Sequence, residues 1–598
     1  MASRTHVRTP GDTSGNSIQQ EMLRRRLPLV IVIMLVAVMV VLFRVISFQF
    51  PQDPRVVREL AALRDAGYGR TERIESARGV IYDRDGEPMA VNTRQYRVGI
   101  SPNLVADPAR AATQLAAILN LDELELLQVI NSDLRYYLLG TVDPDTWQQI
   151  NRLEMGLSIE VERIQRRYYP QGPLASQVIG FVAGDEENFR GYIGVEGYYE
   201  QELAGRVRTT EVSNIPFGLP EDPGAMGEGA DLILTIDRDV QYFVESELAA
   251  AIASTGATGG TIIVMDPRTG DILGMASWPT FDPNAISEIT NQQLLNNPAI
   301  SSTWEPGSIF KVITVAAGIE TGAITPNWTY YDNGILTVGG ISVYNWDRAA
   351  HGLTDVTTLI ANSLNVGASS VSLQMGYERF YAMMDAFNIG APTRVDLPGE
   401  ESGILPVPGD EIWSESNLAT NAYGQGLAVT PLQMLTAVNA IANDGRMMQP
   451  RIVCQVIDGD RVEVPRPVQL GHPISVETAN AVTDMMVTAV QGLDEAAQLP
   501  GYTVAGKTGT AEIPGPSGYE QGVYNMSFVG FLPADNPQIS VIVKLDRPTS
   551  GNWASQVAAP VFRRLAERLV ILLEIPNDQI RLALNAEGGN TDLRGCSR

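Results

Sequence analysis

Lysine is almost missing from this 598-residue chain. It occurs three times, at 311, 507 and 544, among 43 lysines and arginines, so 43 − 3 = 40 of these positive side chains are arginines. Arginine keeps its proton in any protein environment, whereas a lysine held away from water can lose its proton and act as a base. A chain that otherwise chooses arginine marks its lysines as chemically required. Histidine is equally scarce, with only His6, His351 and His472, and no Gly-x-Ser-x-Gly elbow occurs, so a serine-histidine triad is poorly supplied. Cys454 and Cys596 are too few for a disulfide framework and lack metal-ligand spacing; neither metal nor cofactor is expected. The net charge of −26 excludes the basic surface that a nucleic-acid partner requires. Otherwise the chain, 44% hydrophobic and 19% charged, is ordinary globular material, long enough for two or more domains.

One long apolar run is present. Leu27 to Phe43 carries no charge, and the apolar character resumes past Arg44 to Phe50, which is membrane-spanning length. Arg24, Arg25 and Arg26 precede it, with Arg4 and Arg8 further back, so residues 1–26 are expected to be a cytoplasmic tail and 27–48 a transmembrane anchor. Everything after about residue 50 is then outside the cell membrane. The core is long and no small-x-small site follows it, which favours an uncleaved anchor over a signal peptide.

Beyond the run, residues 51–75 have an amphipathic, Arg- and Glu-rich helical pattern, read as a stalk. Residues 77–91 form two apolar strands about an Asp85-Gly86 turn. The spacing predicts mostly helix over 103–165, and the Gly- and aromatic-rich stretch from Arg167 to Gly197 reads as packing rather than chemistry. A linker rich in Gly, Pro and acids, Pro216 to Gly229, sets a domain boundary, giving 49–225 and 226–578, with 579–598 as a flexible tail. In the second region, strands at 261–266, 271–277, 502–511, 527–532 and 538–545 surround a helical insertion, with helices at 240–252 and 555–573. That pattern is α+β: an antiparallel sheet flanked by helices, with a helical subdomain.

Three polar clusters fall in this region. In Thr303-Trp304-Glu305-Pro306-Gly307-Ser308-Ile309-Phe310-Lys311, Pro306 and Gly307 break what precedes and the apolar spacing after Ile309 is helical, so Ser308 opens a helix. Lys311 then lies one turn on along the same face, where its amine can take the hydroxyl proton. Ser363-Leu364-Asn365 sits in a helical stretch, and Lys507-Thr508-Gly509-Thr510 ends a strand. Residues 501–508 also fit the phosphate-loop pattern Gly-x4-Gly-Lys-Thr, but Gly509, Pro514, Gly515 and Pro516 forbid the helix such a loop needs. No nucleotide is expected.

The order Ser-x-x-Lys, Ser-x-Asn, Lys-Thr-Gly resembles that of the penicillin-recognising serine acyltransferases. Thr303 to Lys311 is similar to the Tyr-Glu-Pro-Gly-Ser-Thr-Phe-Lys block of class B penicillin-binding proteins, departing at Trp304 and Ile309. Tyr423-Gly424-Gln425-Gly426, Thr430-Pro431-Leu432-Gln433, Ala442-Asn443-Asp444-Gly445 and Ser527 to Phe531 resemble further blocks, and Arg78 to Ala90 with Gly194 to Gly197 resemble the class B pedestal, or dimerisation, domain. The likeness spans about residues 75–575. It implies a β-lactamase-like transpeptidase domain behind a single transmembrane helix and a pedestal. Ser308 is then the nucleophile, Lys311 the base, Ser363 a proton relay and Asn365 a cleft residue. Lys507 helps keep Lys311 neutral, the Thr508 and Thr510 hydroxyls bind substrate carboxylate beside Gly509, and the Ser308 and Thr510 amides form the oxyanion hole.

The implied function is peptidoglycan cross-linking at D-Ala-D-Ala stem peptides, with β-lactams acylating the same serine and a multi-span membrane glycosyltransferase as partner. No glycosyltransferase domain is legible in the chain itself. A D,D-carboxypeptidase or β-lactamase would use the same motifs with water as acceptor. A non-enzymatic penicillin sensor would need a cytoplasmic effector, for which the 26 residues before the span are expected to be too short. Wall elongation and division are not distinguished.

Overall fold

The computed structural model describes residues 31–44, 69–184, 189–205, 207–213, 228–516 and 518–586. Residues 31–44 are helical with every side chain exposed, and the rest of the expected anchor lies outside the described residues. Among the described residues no helix is long and apolar enough to cross a membrane.

The chain divides into two compact units: Met1–Glu75 with Val207–Met226, and Ser76–Arg206 with Gly227–Arg598. In the first, Gly69–Glu75 and Val207–Ser213 pair antiparallel, Gly69 opposite Ser213. The end of the expected stalk helix is therefore a strand, and 51–68 lie outside the described residues.

The strands of the two larger sheets in the second unit are β1 (Ile81–Tyr82), β2 (Pro88–Ile100), β3 (Tyr137–Val142), β4 (Ile159–Tyr168), β5 (Asp231–Leu234), β6 (Gly259–Met265), β7 (Ile272–Trp278), β8 (Val453–Asp458), β9 (Arg461–Glu463), β10 (Ala505–Gly515), β11 (Gly518–Leu532) and β12 (Ile539–Asp546). The helices used below are α1 (Arg238–Thr255), α2 (Lys311–Glu320), α3 (Val356–Ala361), α4 (Asn365–Met375), α5 (Pro431–Ala442), α6 (Val476–Gln491), α7 (Ala554–Leu572) and α8 (Asp578–Ala586).

The turn expected at Asp85-Gly86 joins β1 to β2: the Asp83 carboxylate accepts the amides of Asp85 and Glu87, and Gly86 takes φ +87°. Two strands overturn the helical reading of 103–165. β3 and β4 fall in the stretch read as helical, and both pair with the thirteen-residue β2. β4 (IEVERIQRRY) is exposed along most of its length, so long charged side chains disguise a strand that the pairing with β2 holds. One compact unit joins residues 76–206 to residues 227–598, because β1 pairs in parallel with β5 and carries one sheet, ordered β9-β8-β5-β1-β2-β3 with β4 on β2, from one segment to the other.

Beneath that sheet Glu196 is fully buried. Its carboxylate meets Arg78 Nε at 2.7 Å and Arg167 Nε at 2.6 Å, while Arg167 Nη1 donates to the Gly79 carbonyl at 2.7 Å. Burial first, and then the Glu196 charge, push the Tyr169 hydroxyl well above its ordinary pKa. The stretch Arg167 to Gly197 packs, as its composition suggested.

A second sheet, ordered β7-β6-β12-β11-β10, carries the functional region. Helices cover both faces, which is why β6 (GGTIIVM) is buried throughout rather than alternating. On one face Val240, Val244 and Leu248 of α1 and Phe562, Leu565 and Leu569 of α7 pack on Ile262, Val541 and Phe528. The Phe528 and Phe562 rings lie 4.5 Å apart. On the other face stand α2 and α5, the latter buried at all twelve positions and opened by a Thr430/Gln433 capping box. The segment expected as tail starts as structure: Arg581 of α8 is 1% exposed and grips Asp535 through two bonds of 2.7 and 2.6 Å. A bidentate pair of this kind, its arginine buried and its aspartate half exposed, docks the helix. Residues 587–598 lie outside the described residues.

Glu196→Ala would leave the buried Arg167 guanidinium without its carboxylate, while Arg78 keeps Glu200 at 2.7 Å, so it is expected to cost about 3–5 kcal/mol of stability. Chemical denaturation of the outer region, compared with Glu196→Gln, measures this. An Ala variant as stable as the parent would show that the node is inert.

Candidate active site

Ser308 lies on a single 3-10 turn, Gly307–Phe310, that runs directly into α2. In a 3-10 turn positions i and i+3 eclipse, which puts the Lys311 amine over the serine more closely than an α-turn would. Lys311 Nζ is 3.0 Å from Ser308 Oγ. The turn is seated by close backbone approaches. Gly307 takes φ +60° and donates its amide to the Gly424 carbonyl at 3.0 Å, and a Cβ on Gly424 would stand 2.4 Å from the Gly307 oxygen. The glycine of Tyr423-Gly424-Gln425-Gly426 is thus a contact requirement.

Ser363 is not inside a helix, as its surroundings suggested, but in the break between α3 and α4. It adopts φ +56°, a left-handed conformation costing a non-glycine residue roughly 1–2 kcal/mol. That turn aims two of its atoms at one amine: Lys311 Nζ is 2.6 Å from the Ser363 carbonyl oxygen and 3.1 Å from its hydroxyl. A carbonyl only accepts, so Lys311 donates one N–H there. A neutral amine keeps its lone pair for the Ser308 hydroxyl.

Lys311 has no solvent exposure. Burial is the main cause that depresses its pKa well below the ordinary lysine range, and the positive charge of Lys507 depresses it further. The turn also presses on Gly509 of β10: a Cβ there would meet Ser527 Oγ at 2.7 Å and the Pro306 oxygen at 3.1 Å. Upstream, Glu305 accepts the Gly426 amide at 3.0 Å and the Tyr519 hydroxyl at 2.9 Å, and burial raises its carboxyl pKa.

The remaining predicted residues are brought to the same place with different partners. Asn365, first in α4, donates its amide N–H to the Tyr344 carbonyl at 2.9 Å. Lys507, 1% exposed, lies 3.3 and 3.4 Å from the carbonyl and hydroxyl oxygens of Thr508. The Thr508 hydroxyl gives its proton to Asp494 at 2.6 Å. Thr510 Oγ1 instead accepts the Ala554 amide at 3.1 Å, which leaves its own proton free. β10 is the sheet's edge strand and Thr508 N–H points off it to Asp494, so alternation sends the Thr510 amide off the same edge.

Sequence reasoning missed three residues. Asp494 stands in a polar loop with no motif around it. Trp346 and Trp553 meet edge to face with centroids 5.1 Å apart, next to the serine-asparagine and lysine-threonine clusters respectively. The Trp346 indole donates to the Asn362 carbonyl, and Trp553 caps the helix whose first amide reaches Thr510. Tryptophans in loops rich in Asn, Asp and Gly were the available signal.

Comparison with known proteins covers most of the chain. Residues 260–567 match the family described as the penicillin binding protein transpeptidase domain, and residues 73–215 match the penicillin-binding protein dimerisation domain. The penicillin-binding protein PbpB of Mycobacterium tuberculosis is 33% identical over 568 residues, covering 87% of this chain and 82% of that protein. The peptidoglycan D,D-transpeptidase FtsI of Escherichia coli is 29% identical over 525 residues, covering 86% of each. The crystal structure of penicillin binding protein 3 from M. tuberculosis complexed with aztreonam superposes with a TM-score of 0.66 at 30% identity, over 88% of this chain and all of that one. With the three motif clusters around one buried lysine and both domains matched, this chain belongs to the class B penicillin-binding proteins.

Proposed function

We propose that this protein is a membrane-anchored D,D-transpeptidase that cross-links peptidoglycan stem peptides through a Ser308 acyl-enzyme. The observation that carries the reading is the fully buried Lys311 amine, hydrogen-bonded to the Ser308 hydroxyl and to the carbonyl and hydroxyl of Ser363, with no carboxylate bonded to it among the described residues. As Ser308 Oγ attacks the carbonyl between the two D-alanines, its proton passes to the Lys311 lone pair. The amides of Ser308 and Thr510 receive the developing oxyanion. When the C–N bond breaks, Lys311 returns the proton through the Ser363 hydroxyl to the departing D-alanine amine, leaving an ester on Ser308. A neighbouring stem's amine then attacks that ester, loses its proton along the same path and regenerates the serine. Lys507 with the Thr510 hydroxyl binds the donor's terminal carboxylate, Thr508 having given its proton to Asp494, and Asn365 orients the peptide. A β-lactam enters the same first half, but its ring opens without releasing a leaving group. The name of the E. coli relative, a peptidoglycan D,D-transpeptidase, supports this chemistry.

Intact-protein mass should show one penicillin adduct on the parent and none on Ser308→Ala; equal labelling would remove Ser308 as nucleophile. Lys311→Arg keeps the charge but cannot accept a proton, so acylation should fall by more than the roughly 10²–10⁴ of ordinary general-base loss, with Lys507→Arg milder.

The acylation rate should also depend on pH in one direction. The active form carries neutral Lys311, whose pKa is depressed by burial and by Lys507. The rate therefore falls about tenfold per pH unit below that pKa and is flat above it, with the plateau reached well below the ordinary lysine value of about 10.4. A rate still climbing toward that value would exclude Lys311 as the base.

A transpeptidase without a polymerase needs glycan from elsewhere, here a multi-span membrane glycosyltransferase contacted through Leu27 to Phe43 and the region 51–225. The run's Val, Ile, Met and Ala offer a packing surface without a polar pathway. Replacing it with an unrelated apolar helix of equal length should leave penicillin acylation intact and weaken co-purification with the polymerase. Full retention of the partner would assign the contact to the outer region.

A further inference from the structure

Beyond the groups used above, one more buried carboxylate touches the lysine-threonine strand. Asp494 follows α6 and is 1% exposed. Its Oδ1 accepts the Thr508 hydroxyl at 2.6 Å, and its Oδ2 accepts the Thr508 amide at 3.1 Å and stands 3.6 Å from Lys507 Nζ. Both side chains of the ion pair are 1% exposed, so water screens neither charge well. Helix α6 buries Val482, Met485 and Met486 in the same core as Ile313 and Val315 of α2. Asp494 therefore ties the edge strand to the layer that carries the nucleophile.

We infer that Asp494 is a positioning residue of the donor-carboxylate site: it fixes Thr508 and Lys507 from the helical side and offsets part of the Lys507 charge, which sets the positive potential felt at Lys311 and by the substrate's carboxylate. The inference rests on the transpeptidase reading above. Its geometry divides labour along β10. Thr508 has one hydroxyl proton and gives it to Asp494, so Thr510, whose oxygen accepts the Ala554 amide, is the hydroxyl free to donate to substrate. Lys507 shares its charge between a resident anion and an arriving one. Among the described residues the other titratable group facing Lys507 is Lys311 of α2. Opposite it β11 presents Val529, Glu477 and Asp484 of α6 are exposed, and Glu512 of β10 is held by Gln425 at 3.0 Å.

The test is the pH profile of penicillin acylation for the parent and for Asp494→Asn, which keeps the shape and an acceptor oxygen but removes the charge. With Lys507 no longer offset, Lys311 loses its proton more readily, so the acid limb should move down by roughly half a pH unit or more. In a Lys507→Gln background the same change should leave the limb in place, because Asp494 acts through Lys507. A limb that stays or moves up in the single variant, or moves equally in both backgrounds, overturns the inference while parent acylation upholds the transpeptidase reading. A parent that is not acylated at all overturns both. Should Asp494→Asn alone fail to fold, the neutral pair with Lys507→Gln is expected to fold, since no buried charge is left without a partner; a double variant that also fails overturns the charge pairing.

Discussion

The site depends on an amine kept out of water with no anion to keep it charged. A buried lysine facing a carboxylate is an ion pair; facing two hydroxyls, a carbonyl and a second cation, it is a base. Lys311 meets the second condition. Much of the local backbone serves that placement. The 3-10 turn eclipses Ser308 and Lys311, the Gly307 to Gly424 contact seats the turn, Gly509 lets β10 approach it, and the left-handed Ser363 supplies both acceptors. The strain at Ser363 persists because α3 and α4 are both buried against the same core and leave the link between them little freedom.

The scarcity of lysine acquires a structural meaning here. All three lysines are buried, at 0%, 1% and 5% exposure, and each meets a different electrostatic environment. Lys311 has hydroxyls and a repelling neighbour. Lys507 has one buried carboxylate, Asp494, at 3.6 Å. Lys544 bonds Asp546 and stands 5.5 Å over the Trp304 ring, just upstream of the Ser308 turn. Arginine would fit none of these roles equally, since its planar fork does not release a proton and needs more donors satisfied. The ion pairs of the first sheet, by contrast, are made with arginines around Glu196.

Motif residues were legible because they act through short spacings: three residues for the serine and lysine, two for the serine and asparagine, a tripeptide for the strand. The hairpin at Asp85-Gly86 and the sheet strands were legible for the same reason, since turn chemistry and apolar runs are local. What escaped is non-local. β4 reads as a charged amphipathic stretch until β2 is beside it, and Arg581 looks like tail sequence until Asp535 is within reach. Asp494 is an unremarked acid in a loop until Thr508 and Lys507 face it. Residues 76–206 likewise share a compact unit with residues 227–598, because a two-residue parallel pairing between β1 and β5 joins regions about 150 residues apart, as the hydrogen bond from the Val80 amide to the Asp231 carboxylate does at a separation of 151.

An edge strand is usually a liability, since its unpaired amides invite another chain. β10 is an edge, yet its outward amides do not share one fate. The Thr508 amide is closed by Asp494, while the Thr510 amide, two residues on, points off the same edge beside the nucleophile turn. One carboxylate thus closes one donor of that row and leaves the next one, at Thr510, available. The same carboxylate takes the proton of the Thr508 hydroxyl, while the first amide of α7 leaves the proton of Thr510 free. Specificity for where a substrate's carbonyl and carboxylate settle then comes from which donors the protein has already used, as much as from those it leaves open.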